Sequence, residues 1–223
     1  MKIDIKSSNF NTSSIDRKVI MAGTGLFLTL FLIAHLGLNA TIFVGDGALF
    51  DRTAALFRHN WGLQGLEILV WGGFMFHIYQ GALLTIQNKS KRSTPYAVNP
   101  TSLAPARSMS LLGAIVLAFL LLHLYQFWLP HAFPGGANGT TDSLSQLMKS
   151  TMSQWWVIAV YVLGCLAVAA HLLHGWRSAA TTLGLAERYL KPISVVGIIL
   201  AIGLPLGLAA IPIALFINSH AQL

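Results

Sequence analysis

Residues 153–181, SQWWVIAVYVLGCLAVAAHLLHGWRSAAT, form one long apolar run with two histidines, His171 and His174, set in its second half. Coiled as a helix at 1.5 Å per residue, the run reaches roughly 40 Å, more than the roughly 30 Å of a bilayer's hydrocarbon core. Four further stretches, at about 19–44, 62–87, 107–129 and 192–218, meet the same requirement. The chain therefore reads as an all-α membrane protein, a single domain over residues 1–223 with five transmembrane helices. An ionisable side chain in such a helix is expensive and usually serves a function, so the question is what the histidines do.

Composition agrees with a membrane setting. Of 223 residues, 55% are hydrophobic and 9% charged, against roughly 25% charged in an ordinary soluble domain. The first apolar stretch follows a polar arm and continues as one of five similar spans, so it does not read as a cleaved signal peptide. A single cysteine, Cys165, excludes a disulfide framework and any cysteine-ligated cluster or zinc site within this chain. The net charge of +7 is distributed by loop, which argues against nucleic acid as a partner. Lys2, Lys6, Arg17, Lys18, Lys89, Lys91, Arg92, Arg107, Arg177, Arg188 and Lys191 fall on one side; Arg52, Arg58 and Lys149 fall on the other. Eleven against three predicts the N-terminus inside and the C-terminus outside.

The connections on the inner side are too short to fold separately. Those on the outer side, 45–61 and 130–152, are longer, and the second contains PHAFPGGANGTTDS, which reads as a loop. The fifth span carries Pro205 and Pro212, which should bend it, and no ionisable residue before His220; it reads as a peripheral helix.

Each of the first four spans contains a histidine: His35, His77, His123, and His171 with His174. One intramembrane histidine is readily explained by a bond to a neighbouring backbone, but one in each of four successive spans is not. Counting from the inner ends, His35 and His123 lie about 16 residues in, and His77 and His171 about 10. Two levels result, roughly 9 Å apart along the membrane normal. Gly25 and Gly113 lie ten residues before His35 and His123; Gly81 and Gly175 lie four residues after His77 and His171. Such glycines leave space for a flat macrocycle, though glycine also serves helix packing in membranes. Zinc would want three or four ligands, whereas two histidines per level without an acidic partner suit six-coordinate haem iron. The expectation is two b haems in a four-helix bundle, with His35 and His123 holding one iron and His77 and His171 the other.

With these residues in view, the sequence resembles the di-haem, five-helix cytochrome b anchor of succinate:quinone oxidoreductases and quinol:fumarate reductases, the complex II family. The resemblance covers essentially the whole chain. It rests on GTGLFLTLFLIAHLGLNATIFVGD, FHIYQGALL, MSLLGAIVLAFLLLHLY and HLLHGWRSAATTLG, one stretch from each of the first four spans. It implies that His35 and His123 hold the outer haem, and that His77 and His171 hold the haem nearer the catalytic subunits. In the fourth span the family's ligand aligns with His171 by its spacing to Gly175 and Gly184. The resemblance further implies an iron–sulfur subunit and a flavoprotein bound on the cytoplasmic side of a bacterial inner membrane, and a membrane quinone as redox partner, menaquinone being favoured. The chain has no flavin fingerprint, cluster motif or acid/base pair, so its part is anchoring, electron transfer and quinone chemistry.

Several residues are open to two readings. Glu67, ten residues before His77, falls where menaquinol-oxidising members carry a proton-accepting glutamate, or it is an interfacial helix-start residue. Arg177 either pairs a haem propionate or snorkels to the inner interface. His174, 300° around the helix from His171, would act behind the ligand, bonding a propionate or a backbone carbonyl, or lining an inner quinone pocket. Trp61, Trp128, Trp155 and Trp156 lie near outer span ends, where an aromatic belt accounts for them. Some fumarate-reducing members have a glutamate two residues before the fourth-span ligand; here the residue is Ala169. Two other functional classes share parts of this pattern: the cytochrome b anchor of another quinone-linked oxidoreductase, and a haem-free transporter with a histidine proton relay.

Overall fold

The computed structural model describes residues 14–90, 105–133, 143–184 and 187–221, and among them every regular element is helical. The chain runs through α1 (Ser14–Ala40), α2 (Ala48–His59), α3 (Trp61–Ser90), α4 (Pro105–His123), α5 (Leu129–Ala132), α6 (Leu144–Met152), α7 (Trp155–Thr182) and α8 (Glu187–His220). Five segments are long and apolar enough to cross a membrane: Asp16–Phe43, Trp61–Gln87, Met109–Ala132, Trp155–Thr182 and Lys191–His220. They fall within a few residues of the spans read from hydropathy. Their flanks carry exposed apolar side chains such as Leu30, Ile68, Leu163 and Ile199, each more than 60% exposed, as suits a multi-pass protein whose solvent is lipid.

The helix ends follow local chemistry. Asn60 caps α3 by accepting from the amides of Gly62 and Leu63, at 2.9 and 3.2 Å. Proline opens α4, where its missing N–H is no loss. Past His123 the helix widens into a π turn, Leu124–Trp128, before α5. Pro130 has no N–H for the carbonyl of Gln126, four residues back, which breaks the α-helical ladder at this point.

Both outer connections contain helices. Between the first two spans the chain turns through Gly45, Asp46 and Gly47, all at positive φ (59°, 56° and 94°), and then forms α2. Gly47 is required twice, since a Cβ there would lie 2.7 Å from that of Ser145. Residues 134–142, most of the Gly-rich stretch expected as a loop, lie outside the described residues, but α6 follows them. Its N-cap Ser143 accepts from the Gln146 amide, and Asp51 of α2 accepts from the Ser145 amide and hydroxyl at 2.8 and 2.7 Å. Lys149 bonds Asp46, so α6 is fastened to the turn before α2 as well. Beneath it, Met148 and Met152 join Ile42, Val157, Ile211 and Leu215 in the main buried apolar cluster.

The four histidine-bearing helices touch in the order α1, α3, α4, α7 and back to α1, the α3–α4 contact being the thinnest. The last helix lies outside this set, but its reading as a peripheral helix needs correction in degree. It packs along α7 and α1, and 39% of its most apolar window is buried inside the chain, the largest share of the five. Its glycines allow this: a Cβ on Gly197 would fall within the Trp176 indole, and one on Gly207 would meet Leu36 at 2.9 Å. Despite Pro192, Pro205 and Pro212, α8 is one continuous helix.

Candidate functional site

The histidines meet in two pairs. The ring of His35 on α1 lies 5.7 Å from that of His123 on α4, and the ring of His77 on α3 lies 6.2 Å from that of His171 on α7. Each pair bridges helices that are not neighbours in the contact order, so the rings project into the middle of the set. The glycines explain the spacing. A Cβ on Gly25 would touch His77 Cε1 at 3.5 Å, and one on Gly113 would touch His171 Cε1 at 3.8 Å. Each glycine therefore flanks the histidine of the other level on an adjacent helix. Ten residues separate Gly25 from His35 and Gly113 from His123, so the levels stand roughly 15 Å apart along these helices.

The surroundings of the pairs differ. His35 and His123 sit among aromatic rings: Phe31 stacks on His35 at 5.3 Å, and Phe127 and Phe119 lie 5.5 and 6.3 Å from His123. The Tyr161 hydroxyl donates to Gln126 Oε1 at 2.7 Å and lies 3.4 Å from His123 Nδ1. At the other level, Thr24 Oγ1 is 3.0 Å from His77 Nδ1. His171 Nδ1 is buried without a hydrogen-bond partner, as is the Oε1 of Gln80, one turn from His77 on α3. Unsatisfied buried polar atoms are uncommon and ask for an explanation.

His174 behaves differently from His171. It is exposed, and its Nδ1 bonds the carbonyl of Ala170 on its own helix at 2.9 Å. Arg177 is exposed on α7, six residues past His171. Lys89, Lys91, Arg92 and Arg107 have side chains outside the described residues.

Glu67 is near the start of α3, and its Oε1 accepts from Trp128 Nε1 at 2.8 Å. Trp128, expected as an aromatic-belt residue, is thus a partner of the acidic residue in the second span; it also packs on Trp71 at 4.9 Å. Glu67 lines a cleft with Phe57, Arg58, Gln64, His131 and Ala132. Arg58 donates to the His131 carbonyl at 3.2 Å, its Nη2 also lying 3.2 Å from His131 Nδ1, and Gln64 donates to the Arg58 carbonyl. Sequence reading missed Arg58 and His131 because both fall in connections, where charge reads as topology. It missed Thr24 and Tyr161 because single hydroxyls in apolar helices carry no spacing signal. Trp61 and Trp155 are largely exposed, as residues of an aromatic belt would be.

The donor set limits what a ligand could be. Among the described residues no three His, Cys, Asp or Glu side chains converge as a metal site would require. Each level offers two imidazoles brought side by side from different helices. His35 with His123, and His77 with His171, are the imidazoles that would hold a metal between two helices at each level, their ring centres lying 5.7 and 6.2 Å apart. The glycines that flank His77 and His171, and the unpartnered polar atoms of Gln80 and His171, are the features beside these rings that a flat macrocycle supplying the remaining ligands would use. Compared with known proteins, the chain matches no family model, no curated protein and no solved structure.

Proposed function

We propose that this chain is a di-haem cytochrome b subunit of the complex II type, anchoring a succinate:quinone oxidoreductase or quinol:fumarate reductase in a bacterial inner membrane. It carries electrons between a membrane quinone, menaquinone by preference, and an iron–sulfur subunit. The observation that carries this reading is the pair of facing histidine couples, stacked at two depths on four apolar helices. In it the first four spans form a four-helix bundle, with His35 and His123 holding the outer haem and His77 and His171 the inner one. The N-terminus is cytoplasmic and the C-terminus outside. When bound, each b haem supplies a one-electron carrier.

The chain's own residues hold the imidazoles at fixed separation and exclude water with Phe31, Phe119 and Phe127. Glu67 is the proton acceptor for quinol at the outer cleft, through the carboxylate oxygen that Trp128 does not engage. The iron–sulfur and flavoprotein subunits dock on the cytoplasmic side, and the dicarboxylate chemistry is theirs. His174, bonded to its own helix, acts behind the inner pair, and Arg177 is the candidate partner of a propionate. The test is purification of the chain from its native membrane. Co-purified flavin- and iron–sulfur-containing subunits, and b haem reducible by quinol or succinate, are expected. A colourless preparation without such partners overturns the proposal.

A further inference from the structure

Two hydroxyl groups, both from neighbouring helices, contact the Nδ1 atom of one histidine in each pair. Thr24 Oγ1 lies 3.0 Å from His77 Nδ1, and it also lies 3.0 and 3.1 Å from the Ile20 and Met21 carbonyls of its own helix. A carbonyl can only accept, and a helical threonine commonly donates to one three or four residues back. The single hydroxyl proton then goes to the backbone, and the oxygen lone pair faces His77. The imidazole can use that lone pair only by carrying its own proton on Nδ1, which leaves Nε2 with its lone pair free. Tyr161 repeats the logic at the other level. Its proton goes to Gln126 Oε1 at 2.7 Å, leaving its oxygen to accept from His123 Nδ1 at 3.4 Å. The π turn after His123 contains Gln126, so a local irregularity of the helix supplies the group that polarises Tyr161. His171 Nδ1 has no such partner.

We infer that Thr24 and Tyr161 are positioning residues, which fix the tautomer and ring orientation of His77 and His123 so that Nε2 of each is presented to a metal shared with the facing histidine. The inference rests on the di-haem reading. An N–H donated to a fixed acceptor makes the other nitrogen a stronger ligand, and losing such a partner typically weakens metal binding 10- to 100-fold. A stronger donor favours ferric over ferrous iron. Removing it should therefore raise the potential of the affected haem: a tenfold loss confined to the ferric form corresponds to about 59 mV for one electron.

The experiment is redox titration and haem retention of the full chain in its complex, as wild type, Thr24→Val, Thr24→Ser and Tyr161→Phe. Expected in Thr24→Val is an upward shift and easier loss of the haem that His77→Ala removes, with the other haem unchanged. Thr24→Ser, which keeps the acceptor, should return near wild type, and Tyr161→Phe should act only on the haem that His35→Ala removes. The unshifted haem in each variant reports that the chain has folded. Unchanged potentials and retention in both variants, a shift of the wrong haem, or loss of both haems from Thr24→Val overturns the inference alone. A wild-type chain without b haem overturns the di-haem reading and this inference with it.

Discussion

His171 and His174 are three residues apart, yet their environments share little. Depth and glycine spacing single out His171 in the sequence, and the structure sets its ring opposite His77 while His174 bonds the Ala170 carbonyl of its own helix. On the di-haem reading, His174→Ala should keep two haems per chain, with at most a small shift in one potential, by pyridine haemochrome assay and redox titration. Glu67 was recognisable as unusual because it is an acid within an apolar run, but its bond to Trp128 was not legible. Trp128 lies 61 residues away, and nothing in a tryptophan at a span end distinguishes a belt residue from a hydrogen-bond donor. Replacing Glu67 with Gln keeps an acceptor for Trp128 and removes the proposed proton acceptor. Both haems should remain while quinol oxidation slows on the order of 100-fold or more, the usual contribution of a positioned base. Unchanged turnover would return Glu67 to a purely interfacial role.

The five long helices were legible to within a few residues because length and hydropathy are properties of a single segment. The short helices α2 and α6 were not, since each is stabilised by the other. Asp51 on α2 serves as an external cap for α6, and Phe50 packs against the buried cluster that contains Ile42, Met148 and Met152. The local signals were modest: the Ser143–Gln146 capping pattern, and Gly47 and Asn60 bracketing α2. Asp51→Ala leaves the Ser145 amide without its acceptor at a helix N-terminus, and should destabilise the fastening of α6 by about 1–2 kcal/mol. Gly47→Ala forces a Cβ into both a left-handed conformation and Ser145, and should be at least as disruptive. Both effects are measurable as a lowered Tm of the purified chain. A Tm equal to wild type in both would mean that this clamp contributes nothing.

At the scale of the whole molecule, counting along the spans pairs the same histidines whose rings the structure brings together, and the ten residues between glycine and histidine set the levels roughly 15 Å apart along the helices, against roughly 9 Å counted along the membrane normal. Pairing depends only on relative depth, which alternating chain direction preserves; absolute spacing needs to know which residues face one another, here Gly25 with His77 and Gly113 with His171. Orientation rests on the Lys/Arg asymmetry. A reporter fused after Leu223 should be outside, and one inserted in the 88–106 connection inside. The opposite result would exchange the two levels relative to the membrane and move the docking face to the other side. The claim that each facing pair of histidines holds one b haem is tested most directly by haem-to-protein stoichiometry with redox titration of single histidine variants. The wild type should carry two b haems; His77→Ala and His171→Ala should each lose the same one, and His35→Ala and His123→Ala should each lose the other. A wild-type chain without b haem, or variants that lose haem in any other pairing, would contradict the account.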